Sequence, residues 1–131
     1  MSLQCVVVTP EKTELDESVE SVVLPMFDGE LGVQTGRAPM IGRLGYGVLR
    51  LTTGSGTQRY YVDGGFAQIE DNVVNVLTGT MTPVDKLDAA KADEDLEKAL
   101  SMDSKTPAEA SLKETAVLRA RGRRRAVTAG R

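Results

Sequence analysis

The stretch "TPVDKLDAAKADEDLEKAL", from Thr82 to Leu100, marks the point at which the chain changes character. It consists mostly of Ala, Leu, Lys, Glu and Asp, a composition that is typical of a helix with a thin apolar face. Thr82 is suited to cap the helix, Pro83 to occupy its first position, and Asp85 to lie near the positive end of its dipole. The stretch therefore predicts a helix over about 83–100.

A second helix is predicted where "TPAE" repeats this arrangement, with Thr106 as the cap, Pro107 first and Glu109 in the first turn. The polar segment "SMDSKT" separates helices over about 83–100 and 107–121, which we expect to form an antiparallel hairpin. Their apolar faces consist mostly of alanine and bury little area, so docking of the helices is expected to be loose. The predicted faces comprise Ala89, Ala92, Leu96, Ala99 and Leu100 in the first helix and Ala108, Leu112, Thr115 and Ala116 in the second.

The residues before Thr82 indicate β-structure, because short segments rich in Val, Leu and Tyr alternate with glycine-rich turn signals. The segments are "LQCVVV", "SVESVVLPMF", "YGVLRLTT", "TQRYYVDGG", "FAQIE" and "NVVNVLTG". Asp63–Gly65 is interpreted as a turn, and Asp16, Glu17 and Glu20 as a solvated polar turn before a strand. The residues predict an N-terminal antiparallel β-sandwich or barrel over residues 1–82, followed by a C-terminal α-helical hairpin over residues 83–131.

Composition excludes several classes of function. The 131 residues include no histidine and one cysteine, so Cys5 is expected to be a buried structural thiol without a disulfide partner, and histidine-based catalysis and most zinc sites are excluded. We expect neither a catalytic site nor a metal site. No membrane-spanning run and no signal peptide are evident, so the protein is expected to stay in the compartment where it is made.

The glycine-rich stretch "DGELGVQTGRAP", Asp28–Pro39, raises the question of a phosphate-binding loop. A phosphate loop needs a Gly-Lys-Ser/Thr ending and a helix directly behind it, whereas "TGRAP" has no lysine and is followed by residues that disfavour a helix. Asp28 and Glu30 would also repel phosphate. The stretch is interpreted as turns or as a surface that another protein recognises.

Charge is unevenly distributed: residues 1–83 carry a net charge of −5, residues 84–111 one of −4, and residues 112–131 one of +6. The positive charge centres on "RARGRRR" at 119–125. Three interpretations stay open from the residues alone: a solvated disordered tail, a segment that docks onto an acidic protein surface, and, least favoured in an acidic, aromatic-poor chain, a nucleic-acid patch.

The motif "GELGVQTGRAPM" resembles the Gly-Glu-Leu-Gly…Gly-His-Ala-Pro-Leu signature of the epsilon subunits of F-type ATP synthases. "VVVTPEKTELDESVESVVLP", "YYVDGGFAQIEDNVVNVLT" and "KLDAAKA" resemble further motifs of that family in the same order. The resemblance covers essentially the whole chain. It implies a sandwich of about ten strands and a helical hairpin in a non-catalytic rotor subunit of the central stalk, which helps couple ion flow to ATP synthesis and restrains ATP hydrolysis through its C-terminal helices.

Partners and site residues follow from the same resemblance. It implies contacts with the gamma subunit, the ring of membrane c-subunits and the catalytic beta subunits. It also implies a peripheral location on the cytoplasmic face of the bacterial plasma membrane, reached through the c-ring. No nucleic acid is expected as a partner. Asp28, Gly29 and Glu30 match the loop that faces the c-ring. Arg37 replaces the usual histidine, which leaves its role open. Five arginines are candidates for a beta-subunit contact with acidic side chains: Arg119, Arg121, Arg123, Arg124 and Arg125.

Some members of the family bind ATP between the hairpin helices, and Leu87, Asp88, Lys91 and Ala92 match that motif in part, with Lys113 on the second helix. Lys91 stands where arginine is usual, and lysine cannot present a planar fork to phosphates. ATP binding is therefore expected to be weak or absent, with no cofactor. The alternative from another class is a free-standing β-domain that acts as a nucleotide sensor or binding module.

Overall fold

A computed structural model describes residues 3–129 of the chain. Eight strands are followed by a short 3₁₀ turn and two helices. The strands are β1 Leu3–Val8, β2 Thr13–Val19, β3 Ser21–Met26, β4 Gly29–Val33, β5 Met40–Thr53, β6 Gly56–Glu70, β7 Val73–Leu77 and β8 Met81–Pro83; the 3₁₀ turn is Val84–Lys86, and the helices are α1 Ala89–Leu100 and α2 Pro107–Ala129. The chain divides into two compact units between Pro83 and Val84.

The strands form one sheet in the order β2-β1-β7-β6-β5-β3-β4, with β8 paired to β6. All pairs are antiparallel except β1 with β7. Buried residues from both ends of this order, such as Val7 and Val33, belong to one apolar cluster, so the sheet folds over into two packed layers. The predicted sandwich and hairpin are confirmed. The described residues form eight strands rather than about ten, because β5 and β6 are long strands that run through both layers.

The interpretation of Asp63–Gly65 as a turn is wrong, because these residues lie inside β6. Gly64 and Gly65 have φ angles of +72° and +111°, which bend the strand while it stays paired with β5 on both sides of the bend. Glycine adopts such angles without the steric cost that a Cβ imposes. The two segments "TQRYYVDGG" and "FAQIE" are therefore one strand.

The acidic segment near the N-terminus is also strand rather than turn. Asp16 and Glu17 belong to β2, an edge strand whose Asp16 accepts a hydrogen bond from the side chain of Gln4 on β1. Leu15 and Val19 of the same strand point into the core. The alternation of acids with these apolar residues is the period-two pattern of a half-buried strand.

The first helix begins later than predicted. Thr82 and Pro83 lie in β8, opposite Tyr61 and Tyr60 of β6, and do not cap a helix. Asp88 is the N-cap instead, since its Oδ1 accepts hydrogen bonds from the backbone N–H groups of Ala90, at 2.9 Å, and Lys91, at 3.3 Å. Proline tolerates a sheet edge as well as a helix start, so the pairing of β8 with β6 moves the start of the helix beyond the predicted cap, Thr82.

The second helix begins where predicted, because the Thr106 hydroxyl accepts a hydrogen bond from the Glu109 N–H at 3.1 Å. It continues to Ala129 rather than ending near 121, and the arginine segment is part of it rather than a disordered tail. Ala and Arg are both strong helix formers, which favours this continuation.

The helices pack through a small cluster of Leu96 and Ala99 on α1 against Ala120 on α2, with Ala116 and Val117 beside it. The predicted face of α1 is correct except for Leu100, which is exposed, whereas that of α2 is wrong for Ala108, Leu112 and Thr115, which are all exposed. Two arginines of α2 also form ion pairs with acidic side chains of α1.

Cys5 is fully buried on β1, as expected from the sequence, and burial raises the pKa of its thiol to about 12, with the charges of Glu17 and Asp16 adding to the rise.

We expect the native protein to resist alkylation of Cys5 at pH 8 and to react only on unfolding. A raised folded-state pKa contributes stability that is full below the unfolded value, near 9.0, and is lost as pH rises toward 12. The free energy of unfolding should fall by up to about 1.4 kcal/mol per pH unit in that window. Cys5→Val should remove this pH-dependent loss of stability. Equal alkylation rates in native and unfolded protein would contradict the burial of the Cys5 thiol.

Candidate functional site

The predicted c-ring loop lies at the turn from β3 to β4. Asp28 is exposed in the turn, Gly29 opens β4 with a φ of +138°, and Glu30 follows with an exposed side chain. The Glu30 carboxylate accepts a hydrogen bond from the Arg50 guanidinium at 3.2 Å. This pair is solvent-exposed, so it orients Glu30 but stabilises the fold by less than about 1 kcal/mol. The structure thus brings all three predicted residues together on one exposed turn.

The turn between β4 and β5 carries Arg37. Its backbone is fixed by a hydrogen bond from the Arg37 N–H to the Gln34 carbonyl, at 3.3 Å, and by one from the Gly36 N–H to the Asn72 side chain, at 2.7 Å. The Arg37 side chain is exposed, and within residues 3–129 no acidic side chain forms an ion pair with it. Arg37 therefore presents a positive charge to solvent from a fixed loop.

An exposed apolar row crosses the sandwich, and sequence reasoning missed it. The row consists of Phe27, Ile41, Phe66 and Leu77, with exposed fractions of 64%, 71%, 54% and 54%. Phe66 lies directly opposite Leu77 on β7 and Arg43 on β5, and the Arg43 guanidinium lies 4.8 Å from the centre of the Phe27 ring. Large apolar side chains gathered in this way mark interaction sites on soluble proteins.

Alternation along the strands is the signal that reveals this row. In the part of β6 that pairs with β7 the exposed positions are Phe66, Gln68 and Glu70, and in β7 they are Asn75 and Leu77. Phe66 and Leu77 thus occupy positions that a one-sided sheet fills with polar residues.

The residues of the nucleotide motif gather at the start of α1. Asp88 is occupied as the helix cap, Lys91 forms an ion pair with Asp95 at 3.3 Å, Ala92 is buried and Leu87 is half-buried. Lys113 lies half-buried on α2. None of the five lines the cavity of about 340 Å³ between the two helices; Asp95, Lys98, Met102, Arg119 and Arg123 line it together with small alanines. Lys98 is itself bound to Glu94 at 2.9 Å, which lowers the pKa of that carboxyl.

The five arginines lie in α2, and two of them already have acidic partners on α1. Arg124 Nε lies 3.1 Å from Asp93 Oδ1, and an Arg123 nitrogen lies 3.8 Å from Asp95 Oδ2. Arg125 donates a hydrogen bond from Nε to the carbonyl of Arg121, one turn earlier. Acidic side chains of α1 therefore already pair with part of the arginine segment.

These cross-helix pairs should make the hairpin sensitive to salt, because the apolar contact between the helices is small. Asp95→Asn removes the cross-helix pair with Arg123 together with the pair with Lys91 inside α1, and we expect it to destabilise the hairpin by roughly 0.5–1 kcal/mol at low ionic strength and by less in high salt, where screening removes the benefit. The measurement is thermal melting followed by circular dichroism at both salt concentrations. Asp103→Asn, in the exposed connection, is the matched control. A loss that does not depend on salt would contradict an electrostatic role for Asp95.

Residues 3–129 include no helix that is long and apolar enough to span a bilayer. They also include no group of three or more Asp, Glu, Cys or His side chains arranged to hold a metal ion.

The fold and surface residues can be compared with known proteins. Residues 2–84 match the family model described as the beta-sandwich domain of the ATP synthase Delta/Epsilon chain. The chain is 68% identical to an ATP synthase epsilon chain of Rhodopirellula baltica over 126 residues, which cover 96% of this chain and 98% of that one. It is 40% identical to an ATP synthase epsilon chain of Prochloron didemni over 99 residues, covering 76% and 73% of the two chains.

Solved structures agree with this assignment. The chain superposes with a TM-score of 0.83 and 25% identity on a chain of the Euglena gracilis mitochondrial ATP synthase, covering 92% of this chain and 78% of that one. A chain from the central stalk and c-ring of the Tetrahymena thermophila mitochondrial ATP synthase shares the fold at 17% identity, with a TM-score of 0.77 and 97% coverage of both chains. The resemblance in the motifs is confirmed, and the chain belongs to the family of ATP synthase epsilon chains.

Proposed function

We propose that the protein is a non-catalytic subunit of the central stalk of an F-type ATP synthase and that it couples ion translocation in the membrane sector to ATP synthesis. The single observation that carries this proposal is the 68% identity to an ATP synthase epsilon chain over 96% of the chain. The complex, not this subunit, performs the chemistry. The test is co-purification: a stalk subunit copurifies with gamma in equal amounts, whereas a free-standing nucleotide sensor, the alternative, purifies alone.

The apolar row is the proposed surface for gamma. An exposed patch with two phenylalanines and an arginine stacked on one of them has the composition of an interface core, where aromatic residues and Arg are enriched. Binding would bury four apolar side chains that carry no polar group, whereas the Arg43 guanidinium beside them would need a partner on gamma. The sandwich would then be fixed to the rotor mainly through strands β5, β6 and β7, with Phe27 contributing from the turn between β3 and β4.

Glu30 is the proposed contact with the c-ring. Its side chain extends from the turn at Asp28–Gly29, and Arg50 holds it in place without burying it. We expect Glu30→Lys to weaken coupling between ATP hydrolysis and ion pumping in the assembled enzyme, while folding and gamma binding stay unchanged. Asp71→Lys, on the turn between β6 and β7, is a charge-matched control. If the Glu30→Lys enzyme pumps as many ions per ATP hydrolysed as the wild type, Glu30 has no role at the ring.

The arginines of α2 are proposed to contact acidic side chains of the catalytic beta subunits and thereby to restrain ATP hydrolysis. Arg123 and Arg124 are bound to α1 in the folded hairpin, so contact with beta through these two requires that the α1 pairs exchange for beta carboxylates. Truncation before Arg119 should raise the hydrolysis rate of the assembled enzyme. An unchanged rate at both low and high salt would contradict the restraint.

ATP binding is proposed to be weak or absent. Asp88 is engaged as the cap of α1 and Lys91 is paired with Asp95, so neither offers a phosphate-binding geometry in this structure. Calorimetry of the isolated chain with Mg-ATP should show no binding tighter than millimolar. A tighter affinity that Lys91→Ala or Lys113→Ala reduces would overturn the proposal.

The relatives belong to ATP synthases, which are membrane-associated complexes. The finer proposal is a peripheral position on the cytoplasmic face of a bacterial plasma membrane, held there by the c-ring. Immunolocalisation or fractionation with and without the membrane sector tests this position, since the chain should leave the membrane fraction when the c-ring is removed.

A further inference from the structure

The free edge of the sandwich at β4 is unprotected. β4, Gly29–Val33, ends the strand order, and within residues 3–129 it pairs only with β3. The opposite edge, β2, carries three acidic residues in seven, a common protection against further pairing. β4 has no lysine and no proline, and Glu30 is its only charged residue. An open edge of this kind can accept an additional strand.

The register of β3 shows which backbone groups of β4 face outward. The Phe27 N–H donates to the Arg43 carbonyl on β5 at 2.9 Å, so odd-numbered residues of this part of β3 face β5 and even-numbered ones face β4. The even-numbered residues lie opposite Gly29, Leu31 and Val33. The N–H and C=O groups of Glu30 and Gly32 therefore point away from β3, toward the open edge. Pro25, which lacks an N–H, faces β5 where that ladder is irregular.

A groove of about 430 Å³ lies over β3, β4 and the turn that follows β4. Ser21, Val23, Gly32, Gln34, Thr35 and Arg37 are among the residues that line it. Arg37 lies at the C-terminal end of β4, and its loop is fixed by the hydrogen bond between Gly36 and Asn72. Asp28 and Glu30 lie at the N-terminal end. The edge thus carries positive charge at one end and negative charge at the other.

We propose that β4 accepts an extended segment of a partner protein as an added antiparallel strand, with an acidic side chain at the start of that segment bound to Arg37 and a basic one at its end near Asp28. The backbone groups of Glu30 and Gly32 supply the hydrogen bonds, and the charges at the two ends fix the direction of the segment. This assignment gives Arg37 a function: it selects an acidic residue and sets the register. A second copy of the chain is disfavoured as the occupant, because a five-residue edge pairing with itself buries too little area for a stable dimer.

The acceptor edge is a property of the free chain, so its test needs no stalk partner and is independent of co-purification with gamma. The probe is a short acetylated and amidated peptide of alternating threonine and valine, with aspartate first and lysine last. Its matched control has lysine first and aspartate last. Backbone NMR of the full chain should show shifts confined to residues 28–37 and slowed exchange of the Glu30 and Gly32 amides.

Three variants decide the outcome. Arg37→Glu should weaken binding of the aspartate-first peptide by roughly tenfold and strengthen binding of the reversed peptide. Arg59→Glu, at an exposed arginine on β6, should change neither affinity. Gly32→Pro removes an outward N–H without breaking the hydrogen bonds between β3 and β4, and it should abolish binding of both peptides. The proposal is overturned if neither peptide shifts these amides at millimolar concentration, if Gly32→Pro binds like the wild type while still folded, or if the chain alone forms dimers that Gly32→Pro dissolves.

Discussion

Replacing Gly65 with alanine is expected to cost the sandwich most of its stability. A Cβ at this position would overlap the carbonyl oxygen of Leu77 and lie 2.8 Å from its carbonyl carbon and 3.0 Å from the Cα of Thr78. All three atoms belong to backbone, so no side chain can rotate away. The φ of +111° adds strain for any residue with a Cβ. Because β7 must separate from β6 to relieve the overlap, we expect a loss of several kcal/mol from a total that is typically about 5–15 kcal/mol.

Urea unfolding followed by tyrosine fluorescence measures this loss, since all three tyrosines lie in β5 and β6 and the chain has no tryptophan. Gly54→Ala is the matched control, because a Cβ there meets nothing within 4 Å and its φ is not positive. The control should change the free energy of unfolding by less than about 1 kcal/mol. A Gly65→Ala variant as stable as Gly54→Ala would show that the β6 bend does not need glycine.

The sandwich itself could be predicted from the sequence because local pattern and tertiary structure agree there. "LQCVVV" is rich in the β-branched and apolar residues that form β1, whose buried positions alternate, and glycine-containing turns separate β4 from β5, β5 from β6 and β7 from β8. The bend at Gly64–Gly65 could not be predicted, since paired glycines signal a turn equally well when no partner strand is known. The same reason explains Thr82 and Pro83: pairing with β6 is a long-range contact, and the local signal favours a helix cap equally.

Among the candidate sites, too, those formed by residues adjacent in sequence could be predicted and those formed by long-range contacts could not. The turn at Asp28–Glu30 could be located from its motif, because the glycines and acids that form it are adjacent in sequence. The apolar row could not be assembled, since its members come from four segments and adjoin only through strand register. The pairing of α2 arginines with Asp93 and Asp95 was likewise hidden, because the interhelical register was predicted from an alanine stripe in which neighbouring faces are nearly equivalent.

Phe66→Asp is expected to abolish stable binding of gamma while the free chain folds normally. Phe66 is 54% exposed and lies opposite Leu77, a member of the row on β7, and opposite Arg43 on β5. It therefore lies near the centre of the proposed interface, where aromatic side chains contribute most to affinity. A carboxylate there would be desolvated on binding, so the expected loss is more than about 3 kcal/mol, or over a hundredfold in Kd.

Binding of purified gamma to the full chain, measured by calorimetry, tests this expectation, with Leu112→Asp as the control because Leu112 is 65% exposed but lies on α2, outside the row. The control should bind like the wild type. Phe66→Ser serves as a second variant in case the aspartate disturbs β6, and tyrosine fluorescence confirms that each variant is folded. Two folded variants that bind gamma within about twofold of wild type would place the gamma contact elsewhere on the chain. If both Phe66 variants bind gamma more weakly and the Leu112 control does not, then gamma covers the exposed positions of β6 and β7. This cover would explain why those positions hold the apolar residues Phe66 and Leu77 instead of polar ones.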